Sequence, residues 1–160
     1  MQKFLKSLIL VLSFNSLVLG EGNYRDALEE LLVELDIVDF VSLTGFIDSP
    51  ESIVSHADFF VSSSLYEGVS NSLLESLALG VPVIATDCPS GIREIVTNGE
   101  NGYLVSMKGD IVKNLSERMS FVIKDNRKLD SMRISKRIRE GFDSKFVIKE
   151  YEKVLNQLLN

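Results

Sequence analysis

Glu67 and Glu75 stand eight positions apart in the stretch Glu67-Gly68-Val69-Ser70-Asn71-Ser72-Leu73-Leu74-Glu75. The first lies in a Gly-containing loop and the second one turn into a segment with helical apolar spacing. Carboxylates so placed can accept hydrogen bonds from the hydroxyls of a ligand. An uncovered helix start beside them offers free N–H groups and the positive end of the helix dipole to a phosphate. Helix electrostatics alone also explains a carboxylate near a first turn, for on the order of a few tenths of a kcal/mol. Pattern alone leaves both readings open.

The elements around this stretch alternate. Ser16 to Gly20 reads as a buried strand ending in the turn Gly20-Glu21-Gly22. Asn23 with Asp26 three residues on resembles a capping box, and Leu28, Leu31, Leu32 and Leu35 then follow helical spacing. Phe40 to Leu43, closed by Gly45, is a short β-rich run, and Ser49-Pro50 opens a short helix ending around Ala57. Asp58 to Ser62 holds the unbroken apolar run Phe59-Phe60-Val61, as in a strand covered on both faces. It empties into the loop that carries Glu67. A helix over Asn71 to Leu79 follows, with Leu73, Leu74 and Leu77 on one side and a stop at Gly80. Pro82 starts the strand Val83 to Thr86, and a loop from Asp87 leads to a brief helix through Ile95 and Val96. Asn98-Gly99 and Asn101-Gly102 flank a turn into the strand Tyr103 to Val105.

From Asp110 the pattern is helical and basic. Val112, Leu115, Met119, Val122 and Ile123 mark one helix, Leu129 and Met132 begin a second, and Val147, Tyr151, Val154, Leu155 and Leu158 mark a third with Ser144 as N-cap. Strands alternating with helices predict an α/β fold: one Rossmann-like domain, a parallel sheet with helices on both faces, and a helical C-terminal tail. Ligands of such sheets bind at the carboxyl ends of the strands, where Glu67 and Asp87 fall.

The totals narrow the function. A chain of 160 residues with 45% hydrophobic and 25% charged residues is of globular composition and one-domain size. A net charge of -6 argues against non-specific nucleic-acid binding. No Lys or Arg falls between Arg25 and Arg93, whereas thirteen of the seventeen lie from Lys108 onward. The half that carries Glu67 and Glu75 therefore has no side-chain cation of its own for a phosphate. The single cysteine, Cys88, excludes an intramolecular disulfide framework and suits a reducing compartment, and the single histidine, His56, leaves no His/Cys cluster for zinc. His56 is read as flanking the short helix. The basic stretch Arg127 to Arg139 is read as a solvated helix face, with contact to an anionic membrane surface as a second reading.

Seven ordered blocks together resemble the C-terminal half of the group 1, or family-four, retaining glycosyltransferases of the GT-B fold. They are Leu17 to Gly22, Val41 to Ile47, Ala57 to Val61, Glu67 to Glu75, Leu79 to Asp87, Gly91 to Ile95 and Asn98 to Val105. The resemblance implies a nucleotide-sugar-binding domain over residues 16–160, preceded by an atypical apolar segment, 1–15. It also implies transfer of a sugar from a nucleotide diphosphate, UDP-linked, with retention, to a glycan or lipid-linked acceptor. Glu67 is then the catalytic residue, contacting the donor sugar ring, with a nucleophilic role as the rival idea. Glu75 accepts hydrogen bonds from the ribose. Gly68, Ser70, Asn71, Ser72 and Leu73 present main-chain groups to the diphosphate, and Phe46 and Ile47 border the base. No metal and no further cofactor is implied, since the helix terminus does part of the work of a cation.

The chain departs from the family at its start. Complete members have about twice this length in two domains. They carry an Arg and a Lys for the diphosphate just upstream of the first matching strand, and this chain has no such pair. The resemblance therefore predicts weak donor binding and no transfer by this chain alone: a separate N-terminal acceptor domain is the expected partner, and a non-catalytic remnant or one subunit of a split enzyme is the alternative. Residues 1–20 read as a secretory signal under one view, with Lys3 and Lys6 ahead of Leu8 to Leu12. Cleavage there would remove the first strand, so the expected setting is cytoplasmic, peripheral to the inner membrane face.

Overall fold

The computed structural model of the chain describes residues 15–89, 91–125 and 129–159. The apolar run Leu8 to Leu12, and the signal reading built on it, lie outside the described residues. So do Arg127 and Lys128 at the start of the basic stretch.

The elements alternate as their sequence periods require. In chain order they are β1 (Ser16–Leu19), α1 (Arg25–Glu34), β2 (Val41–Gly45), α2 (Glu51–Val54), β3 (Phe60–Ser62), α3 (Asn71–Ala78), β4 (Val83–Thr86), α4 (Ile92–Ile95), β5 (Gly102–Val105), α5 (Ile111–Lys124), α6 (Ser131–Phe142) and α7 (Ser144–Leu158). Every ladder is parallel: β1 pairs with β2, β3 with β4, and β4 with β5. Among the described residues these ladders form two separate groups, β1-β2 and β3-β4-β5, where one sheet was expected.

β4 organises the core because both of its faces are covered. Val83 and Ala85 point to one face, where they meet Leu73 and Leu77 of α3, Ile92 and Ile95 of α4, and Ile134 and Ile138 of α6. Ile84 points to the other, against Val105, Leu115 and Met119. This alternation is the period-two geometry of a strand, and it places helices on both faces. A third cluster of Leu32, Leu35, Ile37 and Val41 packs α1 on β2.

Local details differ from the sequence expectation in five places. β1, expected as a buried strand, is open on both faces, with Leu17 51% and Val18 42% exposed, because no described element packs over them. No side chain caps α1: Tyr24 is the N-cap residue, and the Arg25 N–H donates to the Gly22 carbonyl at 3.1 Å, so the Asn23/Asp26 capping box does not form. Asp143, not Ser144, caps α7 through the Lys145 N–H. Met132 is 84% exposed, because the core face of α6 is set by Ile134 and Ile138. The basic face of α6 is partly used inward: Arg137 binds Glu100 and the Thr97 hydroxyl, and Arg139 reaches the Ala78 carbonyl.

α3 is therefore held at its end. The Ser135 hydroxyl donates to the Ala78 carbonyl at 2.6 Å beside Arg139, at the negative pole of the helix. Gly80 closes the helix with φ +82°, and a Cβ there would lie 2.6 Å from the Ser131 carbonyl oxygen. Only glycine permits both that backbone conformation and the approach of α6. No helix among the described residues is long and apolar enough to cross a membrane.

Candidate functional site

The N-terminus of α3 is bare. Ser70 is its N-cap residue, with ψ 106°, and its side chain makes no capping bond, its hydroxyl lying 3.3 Å from that of Ser72 instead. The first helical N–H groups, on Asn71, Ser72 and Leu73, precede the first main-chain bond of the helix, from Leu74 to the Ser70 carbonyl. An α-helix with a bound C-terminus and an uncapped N-terminus keeps donors available where its dipole favours an anion.

The loop before α3 is built from the ends of β3 and β4. Thr86 donates its hydroxyl to the Ser64 carbonyl, which ties the β3 exit to β4. Ser64 in turn donates to Glu67 Oε1 at 2.8 Å and orients that carboxylate at the carboxyl end of the strand. A shallow recess follows, lined by Glu67, Gly68, Ser70, Leu73, Ile92 and Ile95. Four of the residues proposed from sequence thus meet here. Glu75 lies exposed on α3 outside this lining, and Asn71 and Ser72 are exposed at the helix start. Phe46, 76% exposed, and Ile47 follow β2 and do not line the recess. Ile92 and Ile95 are the lining residues that site reasoning passed over, although the block Gly91 to Ile95 carried the signal.

The cations flanking the cation-free half are both engaged. Arg25 bridges Glu21 and Glu29, and its remaining nitrogen donates to the Leu43 carbonyl at 3.2 Å. Arg93 holds Asp87 through two bonds of 2.7 and 2.6 Å. That hydrogen-bonded guanidinium lowers the Asp87 pKa from its ordinary value, against a smaller opposing effect of burial. His56 lies with Nδ1 donating to the Ser52 carbonyl at 2.7 Å, flanking α2 as expected. Cys88 is buried. Among the described residues, no three His, Cys, Asp or Glu side chains gather where they could hold a metal ion.

Comparison with known proteins adds a family. The profile of "Glycosyl transferases group 1" matches residues 1–125. The N-acetylgalactosamine-N,N'-diacetylbacillosaminyl-diphospho-undecaprenol 4-alpha-N-acetylgalactosaminyltransferase of Campylobacter jejuni is 40% identical over 93 residues, 58% of this chain and 26% of the relative. The UDP-N-acetylglucosamine-peptide N-acetylglucosaminyltransferase GtfA subunit of Streptococcus pneumoniae is 27% identical over 149 residues, 89% of this chain and 29% of the relative. The crystal structure of the pneumococcal O-GlcNAc transferase GtfA in complex with UDP and GlcNAc superposes with a TM-score of 0.82 at 24% identity. That superposition covers 99% of this chain and 33% of the other. The chain thus spans about a third or less of the length of these proteins.

Proposed function

The chain belongs to the group 1 glycosyl transferases and carries half of a GT-B fold, and on that footing we propose that it forms the donor side of a retaining sugar transfer from a nucleotide diphosphate. The observation that carries the reading is the bare start of α3 at the carboxyl end of β3, with Glu67 ahead of it and Glu75 a turn behind. The diphosphate lies against the N–H groups of Gly68, Asn71, Ser72 and Leu73. Glu75 accepts from the ribose hydroxyls, Glu67 contacts the donor sugar, and the main chain of Phe46 and Ile47 borders the base. UDP is the proposed nucleotide, because the solved pneumococcal GtfA complex holds UDP.

Cleavage of the sugar-phosphate bond leaves positive charge on the ring and carries the electron pair to the phosphate oxygen. Fixed N–H donors aimed at that oxygen stabilise the charge as it forms. The acceptor, a glycan or lipid-linked sugar, binds to a domain outside the 160 residues. A second reading, donor binding without transfer, is favoured by one observation: Arg25 and Arg93 are both held by carboxylates. The diphosphate then rests on N–H groups alone, and binding is weak.

Titration with UDP tests this. Saturable binding that weakens by roughly 10-fold or more in Glu75→Ala is expected, from the loss of a charge-assisted hydrogen bond. No binding at millimolar UDP, or equal binding by wild type and Glu75→Ala, overturns the assignment.

A further inference from the structure

Arg25 and Arg93 are both held by carboxylates, but not to the same extent. A guanidinium carries five N–H donors on three nitrogens. Arg25 uses all three nitrogens, Nε on Glu29, Nη1 on Glu21 and Nη2 on the Leu43 carbonyl. Arg93 uses two: Nε donates to Asp87 Oδ1 and Nη2 to Asp87 Oδ2, and among the described residues Nη1 meets no acceptor. The Asp87 side chain is 21% exposed and that of Arg93 is 74% exposed, so the carboxylate anchors a fork whose remaining donors stand in the open.

The fold sets this fork at the ligand end of the sheet. The Asp87 N–H donates to the Val105 carbonyl at 2.8 Å, which carries the β4 ladder one residue past Thr86. The alternation of a strand then puts Asp87 on the face of Val83 and Ala85. Leu73 of α3 and Ile92 of α4 pack on that face, and each helix follows the carboxyl end of a strand, α3 after β3 and α4 after β4. Ile92, next to Arg93 in the chain, lines the recess together with Gly68, Ser70 and Leu73. The Thr86 hydroxyl, one residue before Asp87, is bound to Ser64, which holds Glu67. Arg93 therefore stands on the same face and at the same end of the sheet as the open start of α3.

We propose that Arg93 supplies the side-chain cation of the donor site, its unshared N–H groups binding a phosphate oxygen of the nucleotide diphosphate on the start of α3, while Asp87 fixes the direction of the fork. This role rests on the donor reading given above, and with it the diphosphate meets a charge as well as main-chain N–H groups. Arginine suits the task where lysine would not. Two parallel bonds to Asp87 leave a guanidinium donors on its other side, whereas a single ammonium has no such fork. Asp87 is a positioning residue: it meets Arg93 and not the ligand.

Calorimetric titration of the full chain with UDP at about 0.05 and about 0.5 M sodium chloride supplies the test. Arg93→Gln should weaken binding by roughly 10-fold or more at low salt, from the loss of a charge-assisted hydrogen bond, and should flatten the decline of affinity with salt. Asp87→Asn breaks the same pair but keeps the cation, so it should retain the steep decline. Equal UDP affinity in wild type and Arg93→Gln, with Glu75→Ala weakened, overturns the role of Arg93 and leaves the donor reading standing. Equal flattening in Arg93→Gln and Asp87→Asn also overturns it, the pair then acting only as a support of α4. No UDP binding by wild type at either salt overturns the donor reading and this role with it.

Discussion

The Ser64 hydroxyl donates to Glu67 Oε1 at 2.8 Å, and the Ser64 carbonyl is itself bound by Thr86. Glu67 is thus oriented by Ser64 of its own loop, which Thr86 of β4 in turn holds. In Ser64→Ala the carboxylate keeps its charge and loses its aim. On the proposed assignment, affinity for a UDP-sugar falls by about 3- to 10-fold, the worth of one hydrogen bond, while affinity for UDP is unchanged. Calorimetric titration with both ligands checks this, and equal losses for the two would place Glu67 on the nucleotide.

Asn101 is a structural residue with a sharp expected cost. Its side chain is fully buried, accepts from the Thr97 N–H at 2.7 Å and donates to the Ile95 carbonyl at 2.8 Å. Asn101→Ala leaves both main-chain groups without that partner and should destabilise the chain by about 2 kcal/mol. The denaturant midpoint should fall with an unchanged slope.

The Asp87-Arg93 pair gives a pH dependence of definite sign. Arg93 holds the folded-state pKa of Asp87 below its ordinary value, so the pair contributes stability above the unfolded carboxylate range, near pH 4, and loses it as pH falls through the folded pKa. Because Arg93 is largely exposed, solvent screening keeps the contribution at neutral pH small. Wild type should therefore exceed Asp87→Asn in melting temperature at pH 7, with the difference closing below about pH 4. A difference that grows on acidification would contradict the pairing.

The last helix should tolerate charge on its apolar side. Tyr151, Val154, Leu155 and Leu158 of α7 are 54 to 78% exposed, and no residue of the helix is buried. Leu155→Glu is expected to change the stability of the isolated chain by no more than about 0.5 kcal/mol, as for a surface position. A loss near 3 kcal/mol in chemical denaturation would mean that this stripe is covered.

Much of the site was legible because it rests on local rules. Leu73 and Leu77 at helical spacing, with Gly80 beyond them, located α3, and the residues ahead of it located its open start. The support of Glu67 by Ser64 and Thr86 was not legible, since it joins residues 22 positions apart through strand pairing. The engagement of Arg93 by Asp87 was hidden for a related reason: which of several nearby groups a cation meets depends on the course of the loop between them.

The sequence by itself determined the alternation of elements and the placing of Glu67 and Glu75 around a helix start. Hydrophobic period and helix punctuation act within a few residues and suffice for these. Only the tertiary structure decided which apolar faces find a partner. The same kind of run is buried in β4 and exposed in β1, and the stripe of α6 is buried where that of α7 is not. Burial belongs to a pair of surfaces, so a pattern in one segment states what it needs and not whether the rest of the chain supplies it.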